Sequence, residues 1–180
     1  AYLLSSRGIK VTLLERRRDF AREFRGEILM PTGITALQQM GLGEQLSSLP
    51  TQSIQSFAAY INGHPIFRLD AGSLANVQIH AISQPALLEM LVEQAALNES
   101  FRFERGASLQ ELIIEDARVT GVRVKLEDSE TEIRADLVVG ADGRNSAVRR
   151  MLGLKLLHAS PPMDIVWCKM PCPEGWAGAR

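Results

Sequence analysis

The sequence predicts an α/β fold in which a parallel layer is interleaved with antiparallel β insertions. Three observations point there. Short apolar runs at 9–14 and 136–140 are bounded by Glu15 and by Asp136 and Gly140, as strands buried on both faces are. Apolar stripes at helical spacing follow Pro31 and Pro85. Between them lie alternating segments separated by turn residues, which is the pattern of antiparallel ribbons.

The elements follow in order. Residues 1–8 read as the last two turns of a helix stopped by Gly8, since glycine is favoured just past a helix end. A strand at 9–14 ends on Glu15, and 16–30 reads as a basic, glycine-interrupted loop. Pro31 suits a first helical position, and Ile34, Leu37 and Met40 carry the helix to Gly41. Residues 53–61 and 65–69 flank Asn62-Gly63, the strongest short hairpin signal. A short strand at 77–82 precedes a helix near Pro85, striped by Leu87, Leu88, Leu91, Val92 and Ala95. Phe101 and Phe103 begin another strand. Residues 107–115 and 118–126 form a β-meander around a tight turn at 115–118. The apolar run 136–140 reads as a second buried strand, followed by a helix at 145–152 closed by Gly153. A last strand is expected at 164–170.

Composition bounds the function. The chain has 180 residues, 46% hydrophobic and 23% charged, as a soluble globular domain has, not a disordered tail. Twenty Lys and Arg against 21 Asp and Glu leave a formal charge of −1, not the basic face of a nucleic-acid binder. No apolar run approaches the ~18 residues that would span a bilayer. The two cysteines, Cys168 and Cys172, are too few for a disulfide framework. His64, His80 and His158 show no metal-ligand spacing. A cytoplasmic domain is expected.

Two constellations carry chemistry. Glu15, ending the strand of a βαβ unit, suits an adenosine ribose, because a carboxylate accepts from two hydroxyls at once. A glutamate at a strand end is also common as a solvated residue. The glycine fingerprint that should lie ~20 residues earlier falls before Ala1, so the chain reads as a piece of a longer protein, cut at both ends. The stronger constellation runs from Asp136 to Arg149: strand, glycine-containing turn, helix. Gly140 and Gly143 allow close approach of backbone to a ligand. The helix start is expected to offer unpaired N–H groups and a positive dipole end to a phosphate. Asp142 suits a ribose or polyol hydroxyl, and Arg149 a phosphate or a nearby carboxylate. The alternative is a helix N-terminal turn with capping polar residues. Among Arg16, Arg17, Arg18, Arg22 and Arg25, the loop argines 17, 18 and 22 read as a solvated face. Arg25, followed by Gly26, is aimed at a dinucleotide phosphate because its planar fork matches phosphate oxygens.

The segment Asp142-Gly143-Arg144-Asn145-Ser146-Ala147-Val148-Arg149 resembles the Asp-Gly-x-x-Ser-x-x-Arg motif of class A FAD-dependent aromatic hydroxylases, the para-hydroxybenzoate hydroxylase-like flavoprotein monooxygenases. Leu13-Leu14-Glu15-Arg16 resembles the end of that family's second strand, and Arg25-Gly26-Glu27-Ile28-Leu29 its flavin-contacting loop. Ser83-Gln84-Pro85-Ala86-Leu87-Leu88 resembles the segment opening its middle helix, with Gln84 where many members carry arginine. The resemblance implies a Rossmann-like FAD/NAD(P)-binding domain of glutathione-reductase type with antiparallel β insertions. Residues 1–52 and 83–160 would form the FAD-binding domain, and 53–82 and 161–180 parts of the substrate-domain sheet. It implies FAD as cofactor, held by Glu15, Arg16, Arg25, Gln84, Gly140, Asp142, Gly143 and Arg149. It further implies NAD(P)H as co-substrate, and hydroxylation of an aromatic or related small molecule by O2 through a flavin hydroperoxide. Another flavoprotein on the same scaffold, an isoprenoid reductase or a halogenase, is an alternative. So is a nucleotide-binding module without catalysis.

Overall fold

The computed structural model describes residues 1–21, 27–54, 56–70, 79–127, 129–156, 166 and 171. In chain order the helices are α1 (Tyr2–Ser5), α2 (Pro31–Gln39), α3 (Gly43–Ser48), α4 (Gln84–Ala96) and α5 (Ala147–Met151). The strands are β1 (Val11–Glu15), β2 (Ile28–Leu29), β3 (Thr51–Ser53), β4 (Ser56–Ile61) and β5 (His64–Asp70), then β6 (His80–Ile82), β7 (Phe101–Arg105), β8 (Ala107–Glu115), β9 (Arg118–Leu126) and β10 (Ser129–Arg134). Contacts group them into two units.

The first unit comprises residues 1, 3–19 and 98–164. Its parallel pair is β1 beside β7, with Val11 opposite Phe101 and Glu15 opposite Arg105. The antiparallel sheet β10-β9-β8 turns between β8 and β9 on Asp116 (φ 49°) and Ala117 (φ 60°). Two successive left-handed residues match the twist of a two-residue hairpin, even though alanine favours that region poorly. The two faces of this sheet differ, as period-2 alternation requires. On one, Leu112, Val122 and the fully buried Val124 form a core joined by Leu14, Ile133, Val138 and Val148. On the other, Arg123 bonds Glu111 and, at 2.7 Å, Glu132, while Arg134 bonds Glu115 at 2.6 Å. Arg134 and Thr120 hold the Glu115 carboxyl below the usual range, and Arg123 does the same for Glu132.

The second unit comprises residues 2, 20–97 and 165–180. Its core is Ile34, Leu37, Leu42, Leu46 and Ile82, with Leu29, Leu87 and Leu91 packed on it. The stripe expected on α2 and part of that on α4 therefore do the packing; Met90, outside the expected stripe, is also buried. The three-stranded sheet β2-β6-β3 is antiparallel throughout. The hairpin β4–β5 turns on Asn62 (φ 50°) and Gly63 (φ 78°), where the sequence placed it.

Several expectations need correction. The run 136–140 is not a strand: residues 137–143 carry no regular structure, and Leu137 and Val139 are 77% and 72% exposed. A buried strand needs neighbours to take its N–H and C=O groups, and among the described residues no strand pairs with it. The loop at 16–30 contains β2, held by its ladder to β6. The last helix begins at Ala147 with Ser146 as its cap, not at Asn145. The elements α3, β3 and β10 were not expected. Most of the strand expected at 164–170, with Cys168 and Cys172, lies outside the described residues.

Candidate functional site

Glu15 closes β1, half-buried at the carboxyl end of the parallel pair. The chain bends back directly after it, so that the Arg17 N–H donates to Glu15 Oε1 at 2.9 Å. The carboxylate stands at the carboxyl end of a parallel strand, the side on which ligands meet open parallel sheets. The following residues are tied to the end of β7. Gly106 N–H donates to the Arg17 carbonyl at 3.2 Å, and Arg105 Nη1 to the Arg18 carbonyl at 3.5 Å. The Arg105 guanidinium also lies 4.9 Å from the Phe103 ring centre. A cleft of about 330 Å³ is lined by Arg16, Arg18, Arg105, Ser108, Lys125 and Glu127.

The turn after residue 140 is organised around Asp142. Its Oδ1 accepts a hydrogen bond from Ser146 Oγ. Its Oδ2 accepts from Ala147 N–H at 2.6 Å and Val148 N–H at 3.2 Å. Ser146 Oγ accepts in turn from Arg149 N–H at 3.0 Å. Burial pushes the Asp142 carboxyl up, but the bonds from Ser146, Val148, its own N–H and Ala147 outweigh that and hold it below its ordinary value. The first N–H groups of α5 are therefore all taken. The expectation that they stand open to a phosphate is overturned, because this turn supplies its own anion, Asp142, at the positive end of the helix.

The glycines of this turn act differently from each other. A Cβ at Gly140 would lie 2.9 Å from both Cβ and Cγ1 of Val148, so glycine here lets α5 pack on the extended chain. At Gly143 (φ +82°) nothing lies within 4 Å, and the left-handed backbone is what requires glycine. Arg149 donates from Nη2 to the Arg144 carbonyl at 2.7 Å, a backbone partner in place of the phosphate or carboxylate considered above.

Gln84 is the first residue of α4, half-buried, behind a Ser83 cap that makes no side-chain bond. Arg25 and Gly26 lie outside the described residues. Glu15, Arg16, Gly140, Asp142, Gly143 and Arg149 belong to the first unit and Gln84 to the second. Sequence reasoning missed the cleft: Arg18 read as solvated, and Arg105 and Lys125 drew no attention. The signal was the parallel register that sets Arg105 opposite Glu15, which spacing along one strand does not reveal. Among the described residues no His, Cys, Asp or Glu cluster could hold a metal, and no helix is long and apolar enough to cross a membrane.

Comparison with known proteins places these features. The model of a family described as "FAD binding domain" matches residues 1–173. The chain is 32% identical over 176 residues to 6-methylpretetramide 4-monooxygenase of Streptomyces rimosus, covering 96% of this chain and 42% of that protein. It is 32% identical over 169 residues to squalene monooxygenase of Mus musculus, covering 84% of this chain and 27% of that protein. The chain thus spans less than half the length of either relative. Among solved structures, a probable FAD-dependent monooxygenase of Pseudomonas aeruginosa superposes with TM-score 0.72 at 22% identity, over 89% of this chain and 43% of that one. That likeness concerns the fold, and it is the Rossmann-like α/β fold expected from the sequence.

Proposed function

Because the chain belongs to the FAD binding domain family, we propose that it is the flavin-holding part of an NAD(P)H-using monooxygenase that hydroxylates an aromatic or related small molecule with O2. The carrying observation is Glu15, an acceptor at the carboxyl end of a parallel strand, in a chain matched by the family model over residues 1–173. FAD, when bound, supplies the redox chemistry that joins the nicotinamide nucleotide, O2 and the organic substrate.

The residues fit the cofactor unevenly. Glu15 would accept from the adenosine ribose hydroxyls, with Arg16 beside it for the phosphates. At Asp142 both oxygens are already bonded to the start of α5. Its proposed role is to hold the Gly140–Gly143 turn in shape, so that the backbone meets the cofactor, with Arg149 bracing the turn through the Arg144 carbonyl. Gln84 and Arg25 enter on their motifs alone, Gln84 as an amide donor and Arg25 as a phosphate fork. In this reading residues 1–52 and 83–160 make the FAD-binding domain, 53–82 and 161–180 belong to a substrate-domain sheet, and the protein works in the cytoplasm. Support for a small organic substrate comes from the relative named 6-methylpretetramide 4-monooxygenase.

Two measurements test this. Titrating the flavin-free full-length protein with FAD should give an affinity that Glu15→Ala weakens roughly tenfold to a hundredfold, as loss of charged hydrogen bonds worth ~1.5–3 kcal/mol implies. Unchanged affinity would return Glu15 to a solvated strand end. Oxygen uptake coupled to NAD(P)H oxidation should accompany turnover; nucleotide oxidation without oxygen uptake would favour a reductase on the same scaffold.

A further inference from the structure

Two glycines in this chain follow a residue whose side-chain acyl carbon could be attacked by the next backbone nitrogen: Gly63 after Asn62, and Gly143 after Asp142. Glycine matters there because it has no Cβ to shield its own nitrogen. The structure treats the two pairs differently. Asn62 and Gly63 form the exposed tip of the β4–β5 hairpin, with φ of 50° and 78°. Among the described residues, neither the Asn62 side chain nor the Gly63 N–H has a hydrogen-bond partner. A Cβ at Gly63 would meet nothing within 4 Å, so the space around this nitrogen is open. At the other pair the Asp142 oxygens accept from Ser146, Ala147 and Val148. That carboxyl is also held below its ordinary value, so it stays an anion, which resists nucleophilic attack. The remaining described asparagines are restrained as well. Asn98 Nδ2 donates to Ser5 Oγ at 3.4 Å, and the nitrogen after Asn145, that of Ser146, donates to the Gly143 carbonyl at 3.1 Å.

We propose that Asn62 is a site of spontaneous deamidation, and that its isoaspartate product unpairs the tip of the β4–β5 hairpin. The Gly63 nitrogen attacks Asn62 Cγ. A bond forms between them, the bond from Cγ to the side-chain nitrogen breaks, and ammonia leaves with the proton of the Gly63 N–H. The resulting five-membered succinimide is opened by water. Cleavage at Cγ leaves aspartate, and cleavage at the Asn62 carbonyl carbon leaves isoaspartate, whose main chain runs through Cβ and Cγ and is one atom longer. The attack requires the tip to leave its native torsions, and little prevents that. Among the described residues no third strand pairs with β4 or β5, and a lone two-stranded hairpin is marginal in water. The two products then differ in consequence. Asp-Gly suits this turn as Asn-Gly does. An added backbone atom does not fit a two-residue turn, which is what fixes the register of the strands. The pair next to the turn, Ile61 opposite His64, should part first. This chemistry needs only water and is independent of the flavin reading.

The test incubates the full-length protein, folded, at mildly alkaline pH and follows it by peptide mapping and mass spectrometry. The peptide carrying Asn62 should gain about one mass unit, as loss of an amide to a carboxyl requires. It should do so at least roughly tenfold faster than those carrying Asn98 or Asn145, where a hydrogen bond must break first. Methyl transfer from S-adenosylmethionine by an isoaspartyl methyltransferase should label the same peptide and leave the Asp142 peptide unlabelled. In urea the Asp142 peptide should begin to label too, because its restraint belongs to the fold. Asn62→Gln, whose attack would have to close a six-membered ring, should stop the reaction. Amide hydrogen exchange reads the consequence: the aged protein should lose protection at Ile61 and His64, while Asn62→Asp keeps it. An Asn62 peptide that stays unchanged in the folded protein while it reacts in urea overturns the proposal. So does equal labelling of Asp142 and Asn62 in the folded protein, or an aged hairpin that keeps its protection.

Discussion

Replacing Asp142 separates two roles that the sequence left entangled. Asp142→Ala removes the acceptor for Ala147 N–H, Val148 N–H and Ser146 Oγ at once. Loss of an N-terminal capping side chain costs about 0.5–2 kcal/mol. With two backbone donors and a hydroxyl left unpaired, about 1–2 kcal/mol is expected here; the exposed position of Asp142 argues against more, because solvent screens its charge. For a protein of this size that is a fall in Tm of roughly 2–8 °C. Asp142→Asn keeps one acceptor oxygen and should cost less. The pH dependence gives a second reading. The folded carboxyl titrates below its ordinary value of 3.8, so its contribution is fully present above that pH and is lost as pH falls through the lower folded pKa. The stability gap between wild type and Asp142→Asn should therefore be open at pH 7 and close in acid below pH 3.8. Hydrogen exchange at the Ala147 and Val148 amides, with thermal unfolding from pH 7 downward, measures both. If these amides keep wild-type protection in Asp142→Ala, the capping account is refuted. Arg144→Ala is the control: Arg149 bonds its carbonyl, which the substitution keeps, so stability should stay within about 0.5 kcal/mol.

Two glycines yield further tests. Gly140→Ala would set a Cβ 2.9 Å from Val148 Cβ and Cγ1, well inside the ~3.5–4.0 Å optimum, and should destabilise by about 1–3 kcal/mol; denaturant unfolding of Gly140→Ala, Val148→Ala and the double variant should show the double costing less than the sum. Strict additivity would mean that the two residues do not meet. Gly121→Ala, whose Cβ would meet the Ile133 carbonyl oxygen at 2.5 Å, faces rigid backbone, so its loss of stability should be at least as large and no side-chain truncation at Ile133 should rescue it.

What the sequence revealed depended on how local the cause was. Asn62-Gly63, the 115–118 turn and Gly8 were legible because each is fixed by backbone torsions within a few residues. Ile34 and Leu37 were legible as buried because they lie in a helical apolar stripe. β10 was not: it runs Ser-Glu-Thr-Glu-Ile-Arg with Ile133 its one apolar residue, and what ties it to its neighbours is not visible in its own pattern: Arg123 of β9 holds Glu132, and Arg134 reaches Glu115 of β8. α3 could have been found from Leu42, Leu46 and Leu49, at spacings of four and three, although no side chain caps it. The run 136–140 misled in the opposite sense. Its composition is that of a buried strand, but composition does not supply a neighbour, and Leu137 and Val139 stay exposed.

The candidate site divides along the same line. Glu15 and the Asp142 turn were visible as motifs, but what each carboxylate does was not, because a motif specifies residue type and leaves open which donors arrive. At Glu15 a backbone N–H, from Arg17, donates to Oε1, and the side chain stands at the carboxyl end of the parallel strand. At Asp142 the donors come from the helix that the same motif begins, so the carboxylate is used for architecture. In the proposed reading the acidic residues of the two motifs thus divide the work: Glu15 meets the ligand, and Asp142 fixes the turn that would face it. It follows that substitutions at Asp142 should alter α5 and cofactor affinity together, whereas Glu15→Ala should alter affinity with the fold intact. Measuring amide protection and FAD affinity on the same pair of variants decides between that division and a direct cofactor contact at both positions.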